Sequence, residues 1–334
     1  MVISLFLISC SSSIDNLKDN LDDEFTEHSH NLISHEVDTV SADFVKTLQY
    51  VHQKTINQIN TNRVGKAIEP KSNWLKAILI GGVDAAAAVA AAAGILSTPI
   101  IKEIVVVSTT AKVAAVATVA LISASASIGA AESCGVIKWN IQGATDPALV
   151  IYKNVGRSYI NDSDKFPNIP PASGLSLDYP RGYEELNICG RWHNEIIKKS
   201  RREMPYTSWN GIKGPFYNEW WTGGYNKAFS ACSSFWREAQ TNYNVPNYQE
   251  FSKLTTHYKN MGYINDYLRS FLDQFIVSYM YARNQKEVQL VCNNYICWAL
   301  SRRDSFTEQQ YQAMLVGMSV ALDSPSYWQN CSYL

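Results

Sequence analysis

Two alanine-rich apolar runs constrain the fold of this chain more than any other feature. The first runs from Leu75 to Leu96, and its only charged residues are Lys76 and Asp84. The second runs from Val113 to Ala131 and carries no charge. Ser97-Thr98-Pro99 lies between them and is typical of a helix start, because proline at the first helical position loses no hydrogen bond. We therefore predict a helical hairpin that is surrounded by apolar material on most sides.

Small residues recur four positions apart along both predicted helices. This spacing places them on one helix face, where they form a groove that lets two backbones approach closely. The residues are Gly82, Ala86, Ala90 and Gly94 in the first run, and Ser123, Ser127 and Ala131 in the second. We expect these residues to form the packing surface of the hairpin.

The hairpin is compatible with two environments. A helix of 22 residues is about 33 Å long, which is sufficient for a hydrocarbon core of about 30 Å. Asp84, however, lies near the centre of the first run, where a carboxylate costs about 2.5 to 3.5 kcal/mol on translocon scales. We expect a hairpin buried in protein, with membrane insertion as the alternative. The two differ in whether Asp84 meets a partner inside a protein core.

The first ten residues read MVISLFLISC, an apolar run that ends at Leu7-Ile8-Ser9-Cys10. This pattern resembles the lipobox of a bacterial lipoprotein signal, although no Lys or Arg precedes the apolar run. The resemblance implies that segment 1–10 acts as the signal, that the residues before Cys10 are removed, and that the Cys10 thiol is lipidated. Segment 11–31 is acidic and polar, as expected of a solvated tether. The implied location is the exported face of a bacterial membrane, with the lipid bilayer as a partner.

The rest of the chain is predicted to be mostly helical, so the fold class is all-α. Segment 32–135 would combine an amphipathic helix from Ile33 to Ile59 with the hairpin, which would end at Cys134-Gly135. Segment 136–180 is a connector with several Pro and Gly residues. Segment 181–334 is an aromatic-rich helical domain, with a regular apolar stripe from Ile264 to Tyr279 and a capping box from Ser305 to Glu308.

Six cysteines remain when Cys10 is taken as lipidated, and an exported protein could pair them into as many as three disulfides. They are Cys134, Cys189, Cys232, Cys292, Cys297 and Cys331. The net charge of −1 gives no electrostatic sign of a nucleic-acid partner. No metal or cofactor is expected.

The segment Gly190-Arg191-Trp192-His193-Asn194-Glu195 is the most distinctive polar string. Together with the anchor and the alanine-rich segment, it resembles uncharacterised lipoproteins of the Bacteroidetes type, and this resemblance implies no activity. Cys189 and His193 share a helix face, so a cysteine hydrolase is one hypothesis. The simpler interpretation is a histidine buried within the helical core.

The aromatic concentration between residues 209 and 236 favours either glycan binding or ordinary core packing. Its candidate ligand-binding residues are Trp209, Trp220, Trp221 and Trp236. The leading hypothesis is a non-enzymatic envelope lipoprotein with a structural or interaction role, through a protein partner or self-association. The alternative is a membrane-inserting protein, pore-forming or bacteriocin-like, that acts through the hairpin. A glycan-binding module or a cysteine hydrolase comes third.

Overall fold

The computed structural model describes residues 40–64, 73–95, 109–136, 174–203 and 248–331. Within these ranges the chain forms eight α-helices and two short 3-10 turns, and it contains no strand. The predicted all-α fold is therefore confirmed. The helices are α1 (Ala42–Arg63), α2 (Trp74–Ile95), α3 (Thr109–Ser133), α4 (Ile188–Glu203), α5 (Tyr248–Asn260), α6 (Asp266–Met280), α7 (Gln285–Ser301) and α8 (Glu308–Trp328).

Helix α1 is the predicted amphipathic helix, and its described part begins at a side-chain cap. Ser41 adopts an extended backbone conformation and its hydroxyl accepts a hydrogen bond from the Phe44 N–H, which satisfies one of the free donors of the first turn. Phe44, Leu48 and Val51 bury one face of the helix, as the periodicity predicted. Residues 33–39 of the predicted helix lie outside the described ranges.

Helices α2 and α3 form the predicted hairpin, which is a central element of the core. The stop predicted at Cys134-Gly135 is confirmed, since α3 ends at Ser133 and Gly135 has a φ of +61°. The Val136 N–H donates to the Ala131 carbonyl at 2.8 Å, which satisfies one of the last free acceptors of the helix. The start predicted at Ser97-Thr98-Pro99 lies outside the described ranges.

Helix α8 packs along α2 in the antiparallel direction. Gly317 of α8 lies against Val89, and Pro325, near the other end of α8, lies against Gly81. Helices α4 and α3 also pack against each other. Residues from both predicted segments, 32–135 and 181–334, thus contribute to one hydrophobic core.

Pro325 lies inside α8, where a proline has no N–H to donate to the carbonyl four residues earlier. That carbonyl belongs to Ala321, and it accepts a hydrogen bond of 2.8 Å from the Tyr279 hydroxyl of α6. Gly81 lies at the same point, because a Cβ there would approach the Tyr279 hydroxyl oxygen to 2.3 Å. Helices α2, α6 and α8 therefore meet around the proline.

The capping box of α8 differs from the prediction by two residues. Ser305 was expected to cap the helix with Glu308, but Arg303–Ser305 forms a 3-10 turn and α8 begins only at Glu308. The box is instead formed by Thr307 and Gln310. The Thr307 hydroxyl accepts from the Gln310 N–H at 3.2 Å, and the Gln310 side chain accepts from the Thr307 N–H at 2.9 Å.

The upper limit of three disulfides is not reached. Cys134, Cys189, Cys292 and Cys331 are not disulfide-bonded, which leaves at most one pair among the six cysteines. Cys189 and Cys292 are completely buried among apolar side chains, where they act as small hydrophobic groups.

Helices α4 and α8 approach each other most closely at Gly190. A Cβ at this position would lie 2.2 Å from the Ser319 backbone carbonyl oxygen. The Gly190 N–H donates to the Ser319 hydroxyl at 2.9 Å, and the same hydroxyl donates to the Asn187 carbonyl. Glycine is therefore required at position 190, because the backbones of α4 and α8 leave no room for a side chain there.

We predict that Gly190→Ala lowers the free energy of unfolding by about 1 to 3 kcal/mol, because a methyl group must displace backbone atoms of α8. In an unobstructed helix the same change would stabilise the protein by about 1 kcal/mol. Urea denaturation followed by circular dichroism measures the difference. Lys46→Ala, on the exposed face of α1, is the control and should change stability by less than about 0.5 kcal/mol. An unchanged or higher stability of Gly190→Ala would contradict the close approach.

Candidate functional site

A cluster of polar side chains lies in the middle of the hairpin and is sealed from solvent. It contains Asp84 of α2, Ser127 of α3, His193 of α4, and Ser324 and Trp328 of α8. Each of these residues is at most 1% exposed. Helices from both halves of the chain therefore meet at one set of hydrogen-bonding groups within an apolar core.

The carboxylate of Asp84 is the centre of this cluster. Its Oδ2 atom accepts a hydrogen bond of 2.7 Å from the Ser127 hydroxyl and another from the Ser324 hydroxyl. Ser127 has only one proton to donate, and its oxygen in turn accepts from the Trp328 indole N–H at 2.9 Å. The direction of the bonds is therefore fixed, with the donors directed at Asp84.

His193 provides the third contact to the same carboxylate oxygen. Its Nε2 atom lies 3.3 Å from Asp84 Oδ2, and both side chains are completely buried. Its other nitrogen, Nδ1, lies 3.0 Å from the Asn194 side-chain oxygen. The Asn194 amide nitrogen donates to the Asp323 backbone carbonyl at 2.8 Å, which fixes the orientation of the amide.

These directions determine where one proton of His193 lies. The Asn194 oxygen can only accept, so Nδ1 must carry a proton. Nε2 lies 3.3 Å from Asp84 Oδ2 and has no hydrogen-bond partner. The Asp84 carboxyl group is therefore held by two hydroxyl donors and by a close contact with the ring, in a core where an unpaired polar group is costly.

The structure places Cys189 and His193 on one helix, as predicted, but their side chains have different partners. The Cys189 thiol contacts the Val116 backbone carbonyl, with its sulfur 3.7 Å from the oxygen. Burial, and secondarily the charge of Asp323, raises the pKa of the Cys189 thiol far above its ordinary value. A thiolate is therefore disfavoured at this position, and the imidazole is engaged with Asp84.

The small residues of the predicted grooves are buried except Gly94, which is half-buried, and the two ends of the first groove do not face α3. Gly82 lies against the Phe251 ring of α5, and Gly94 lies against Tyr263. Ser127 is the groove residue that joins the two hairpin helices, through Asp84. Ser123 bonds within its own helix to the Ala120 carbonyl. Ala86, Ala90 and Ala131 are completely buried.

Several predicted site residues lie outside the described ranges. They are Cys10, Trp209, Trp220, Trp221 and Trp236. Among the residues that the structure describes, no group of three or more His, Cys, Asp or Glu side chains is arranged to hold a metal ion.

A cleft of about 250 Å³ lies beside α4, and its lining includes Asn187, Arg191 and Trp192. Neither Asp84 nor His193 lines it. The polar cluster is therefore separate from this cleft.

Ser324 and Trp328 were not singled out from the sequence. Both lie in a helix that is buried on nearly every side, so no polar face distinguishes them from their neighbours. The sequence did offer one local signal, since the polar run Asp323-Ser324-Pro325-Ser326 follows a mainly apolar stretch of the same helix.

No known protein family, curated protein or solved structure matches this chain.

We predict that Asp84→Asn and His193→Gln each lower the free energy of unfolding by about 3 to 5 kcal/mol, because each leaves one buried group without its partner. The double variant should lose clearly less than the sum of the two. Chemical denaturation of all four proteins gives the coupling energy, which we expect to exceed about 1 kcal/mol.

Ser324→Ala serves as the matched control, since it removes one hydroxyl donor and leaves the pair in place. It should cost about 1 kcal/mol. Additive effects of Asp84→Asn and His193→Gln would contradict an energetic coupling between the two side chains.

Proposed function

We propose that this protein is a non-enzymatic cell-envelope lipoprotein, anchored to a bacterial membrane through Cys10, whose helical body serves as a structural or interaction module. The anchor rests on the lipobox-like residues Leu7-Ile8-Ser9-Cys10 and on the acidic segment that follows them. The body would contact a protein partner or a second copy of the chain.

One observation carries this proposal. Asp84, at the centre of the hairpin, accepts hydrogen bonds from hydroxyl groups of α3 and α8 and contacts the His193 ring of α4. A carboxylate that has dedicated partners inside the core is what a hairpin buried in protein requires, and a lipid-facing helix would provide none of them. The partners of Asp84 therefore support the interpretation that the hairpin forms the structural core of the body.

The cysteine hydrolase hypothesis receives less support from the geometry. A cysteine nucleophile needs a thiolate, an adjacent base and access for its substrate. Cys189 is completely buried, and burial raises the pKa of its thiol. His193 is engaged with Asp84 and Asn194 in the same sealed region.

We predict that the producing bacterium attaches a labelled fatty acid to the full chain and that Cys10→Ala abolishes the labelling, because the acceptor thiol is missing. Gel analysis after metabolic labelling measures the signal. Cys331→Ala is the matched control, since Cys331 is partly exposed and not disulfide-bonded, and it should label like the natural sequence. Equal labelling of all three proteins would contradict the anchor.

Membrane insertion is the second candidate, and the dimensions of the hairpin favour it. Among the residues that the structure describes, two helical segments are long and apolar enough to cross a bilayer. They are Trp74–Gly94, with a mean hydropathy of 1.8, and Val116–Ser133, with a mean hydropathy of 1.3. In the described structure these segments are 94% and 83% buried, so insertion would require the body to open first.

For this second function we predict that a photoactivated probe dissolved in the lipid phase labels peptides of α2 and α3. The test uses Cys10→Ala protein and vesicles of phosphatidylcholine and phosphatidylglycerol, so that the anchor does not contribute. Peptides of α6 and α7 are the internal control and should stay unlabelled. Absence of hairpin labelling at every pH would contradict insertion.

A further inference from the structure

We propose that one end of the helical body is a docking surface for an anionic lipid bilayer. This basic end is formed by the last turns of α1, α4 and α6 and by the first turns of α2 and α7. Under the first proposed function, on which this rests, the anchor holds the body beside a bilayer, and the basic end is the surface that faces the lipid.

Contacts between side chains and backbone bring four of these helix ends together. The Arg63 guanidinium of α1 donates to the Glu287 carboxylate of α7 at 2.6 Å and to the Tyr281 carbonyl, directly after α6, at 2.8 Å. The Trp74 indole N–H, in the first turn of α2, donates to the neighbouring Ala282 carbonyl at 2.7 Å. The ends of α1 and α6 and the starts of α2 and α7 therefore form one surface.

Helix α4 ends on the same side of the body. Asn194 of α4 donates to the Asp323 carbonyl of α8, one helical turn after the contact that Gly190 makes with α8, so the two helices run parallel. The end of α8 lies near the start of α2, where Pro325 contacts Gly81. The last turns of α4 therefore point towards the start of α2.

The basic end carries an excess of positive charge. Its described basic side chains are Arg63, Lys76, Lys198, Arg283 and Lys286. Its described carboxylates are Glu132, Glu195 and Glu287. Glu287 neutralises Arg63, whereas Arg283 and Lys286 are exposed. The sequence of α4 continues with three basic residues and one acidic residue, at positions 199, 201, 202 and 203, which increases the excess.

The opposite end of the body has no such excess. Its described carboxylates are Asp43, Glu184, Glu185, Asp266, Asp304 and Glu308. Its described basic side chains are Lys46, Arg181, Lys259, Arg302 and Arg303. A chain whose net charge is only −1 thus presents its positive excess at one end, and an anionic surface attracts that end first.

The basic end also carries most of the exposed apolar side chains. Five large hydrophobic residues are exposed in the part of the chain that the structure describes. Three of them lie at the basic end, namely Val64 at 79%, Leu75 at 62% and Tyr281 at 39% exposed. Tyr50, midway along α1, and Met261, after α5, lie elsewhere. Apolar side chains among cations fit a bilayer surface, where they enter the headgroup boundary while the cations meet lipid phosphates.

The tether is long enough for this orientation. Helix α1 begins at the opposite end, so the chain between the anchor and the body must pass along the body. About 30 residues separate Cys10 from Val40, and a chain of this length spans at most about 100 Å. The 22 residues of α2 are about 33 Å long, which is well within this reach.

Lysine footprinting tests the basic end in the full chain with Cys10→Ala, so that no lipid anchor contributes. Acetic anhydride modifies exposed amines, and mass spectrometry measures the rate at each lysine. Vesicles of phosphatidylcholine and phosphatidylglycerol should slow the acetylation of Lys286 at least about fivefold, because the bilayer covers it. Lys46, exposed near the start of α1, is the internal control and should change less than about twofold, since it lies beyond a Debye length from the surface.

The lipid composition and the salt concentration are varied in the same experiment. Vesicles of phosphatidylcholine alone should protect neither lysine. Salt at about 1 M should remove most of the protection, because it shortens the Debye length to about 3 Å. Equal protection of Lys286 and Lys46, or equal protection by both kinds of vesicle, would overturn the proposal.

Two pairs of exposed positions separate the charged and the apolar contributions, again with Cys10→Ala. Lys286→Glu should weaken partition to the anionic vesicles at least about 10-fold, because the reversal replaces attraction by repulsion. Lys46→Glu makes the same change at the opposite end and should have an effect of less than about twofold. Leu75→Ser should weaken partition at least about threefold, whereas Met261→Ser, its matched control, should not. Equal binding within either pair would overturn the proposal, and circular dichroism checks that each variant is folded.

The remaining outcomes separate the docking surface from an acidic protein partner and from the anchor. Polyglutamate that protects Lys286 as well as the anionic vesicles do, with no effect of Leu75→Ser, would overturn the lipid surface in favour of an acidic protein. Fatty-acid labelling at Cys10 without protection of Lys286 would leave the lipoprotein in place and overturn the docking surface. Protection of Lys286 without such labelling would support the docking surface and overturn the anchor.

Discussion

The structure depends on a carboxylate placed where the surroundings are otherwise apolar. Asp84 lies in the middle of α2, and the residues that follow it in this helix are mainly alanine. The hydrogen-bonding partners of its carboxyl group must therefore come from elsewhere in the chain. Ser127, His193 and Ser324 contact this carboxyl group, and each comes from a different helix. Alanines alone would allow α2 to rotate or slide against its neighbours, whereas a fixed set of donors specifies one alignment.

The same helices are adapted to each other around this point. Glycines at positions 81, 190 and 317 let the backbones of α2, α4 and α8 approach closely. Pro325 leaves the Ala321 carbonyl without its usual helical donor, and the Tyr279 hydroxyl supplies one from α6. Short side chains let the helix backbones approach closely. This close approach also brings buried polar groups of neighbouring helices within hydrogen-bonding distance.

The sequence predicts the helices well and the contacts between them less well. Periodicity located α1 and α6, and Gly135 marked the end of α3, since these signals depend on nearby residues. The cap of α8 was misplaced, because Ser305 and Thr307 both have suitable hydroxyls and only the 3-10 turn before the helix distinguishes them. The partners of Asp84 could not be predicted, because His193 and Ser324 lie more than 100 residues away in the chain. Spacing within one helix contains no information about such distant contacts.

The position of α8 in the sequence has a consequence for biosynthesis. The hairpin is synthesised well before α8, yet α8 covers much of α2 and supplies Ser324 to Asp84. Until that helix emerges, two apolar segments lack their cover and the carboxylate lacks one donor. Contacts this distant in sequence form late, and exposed apolar surface promotes aggregation in the meantime. Binding of a chaperone during synthesis would protect the nascent chain until its last contacts can form.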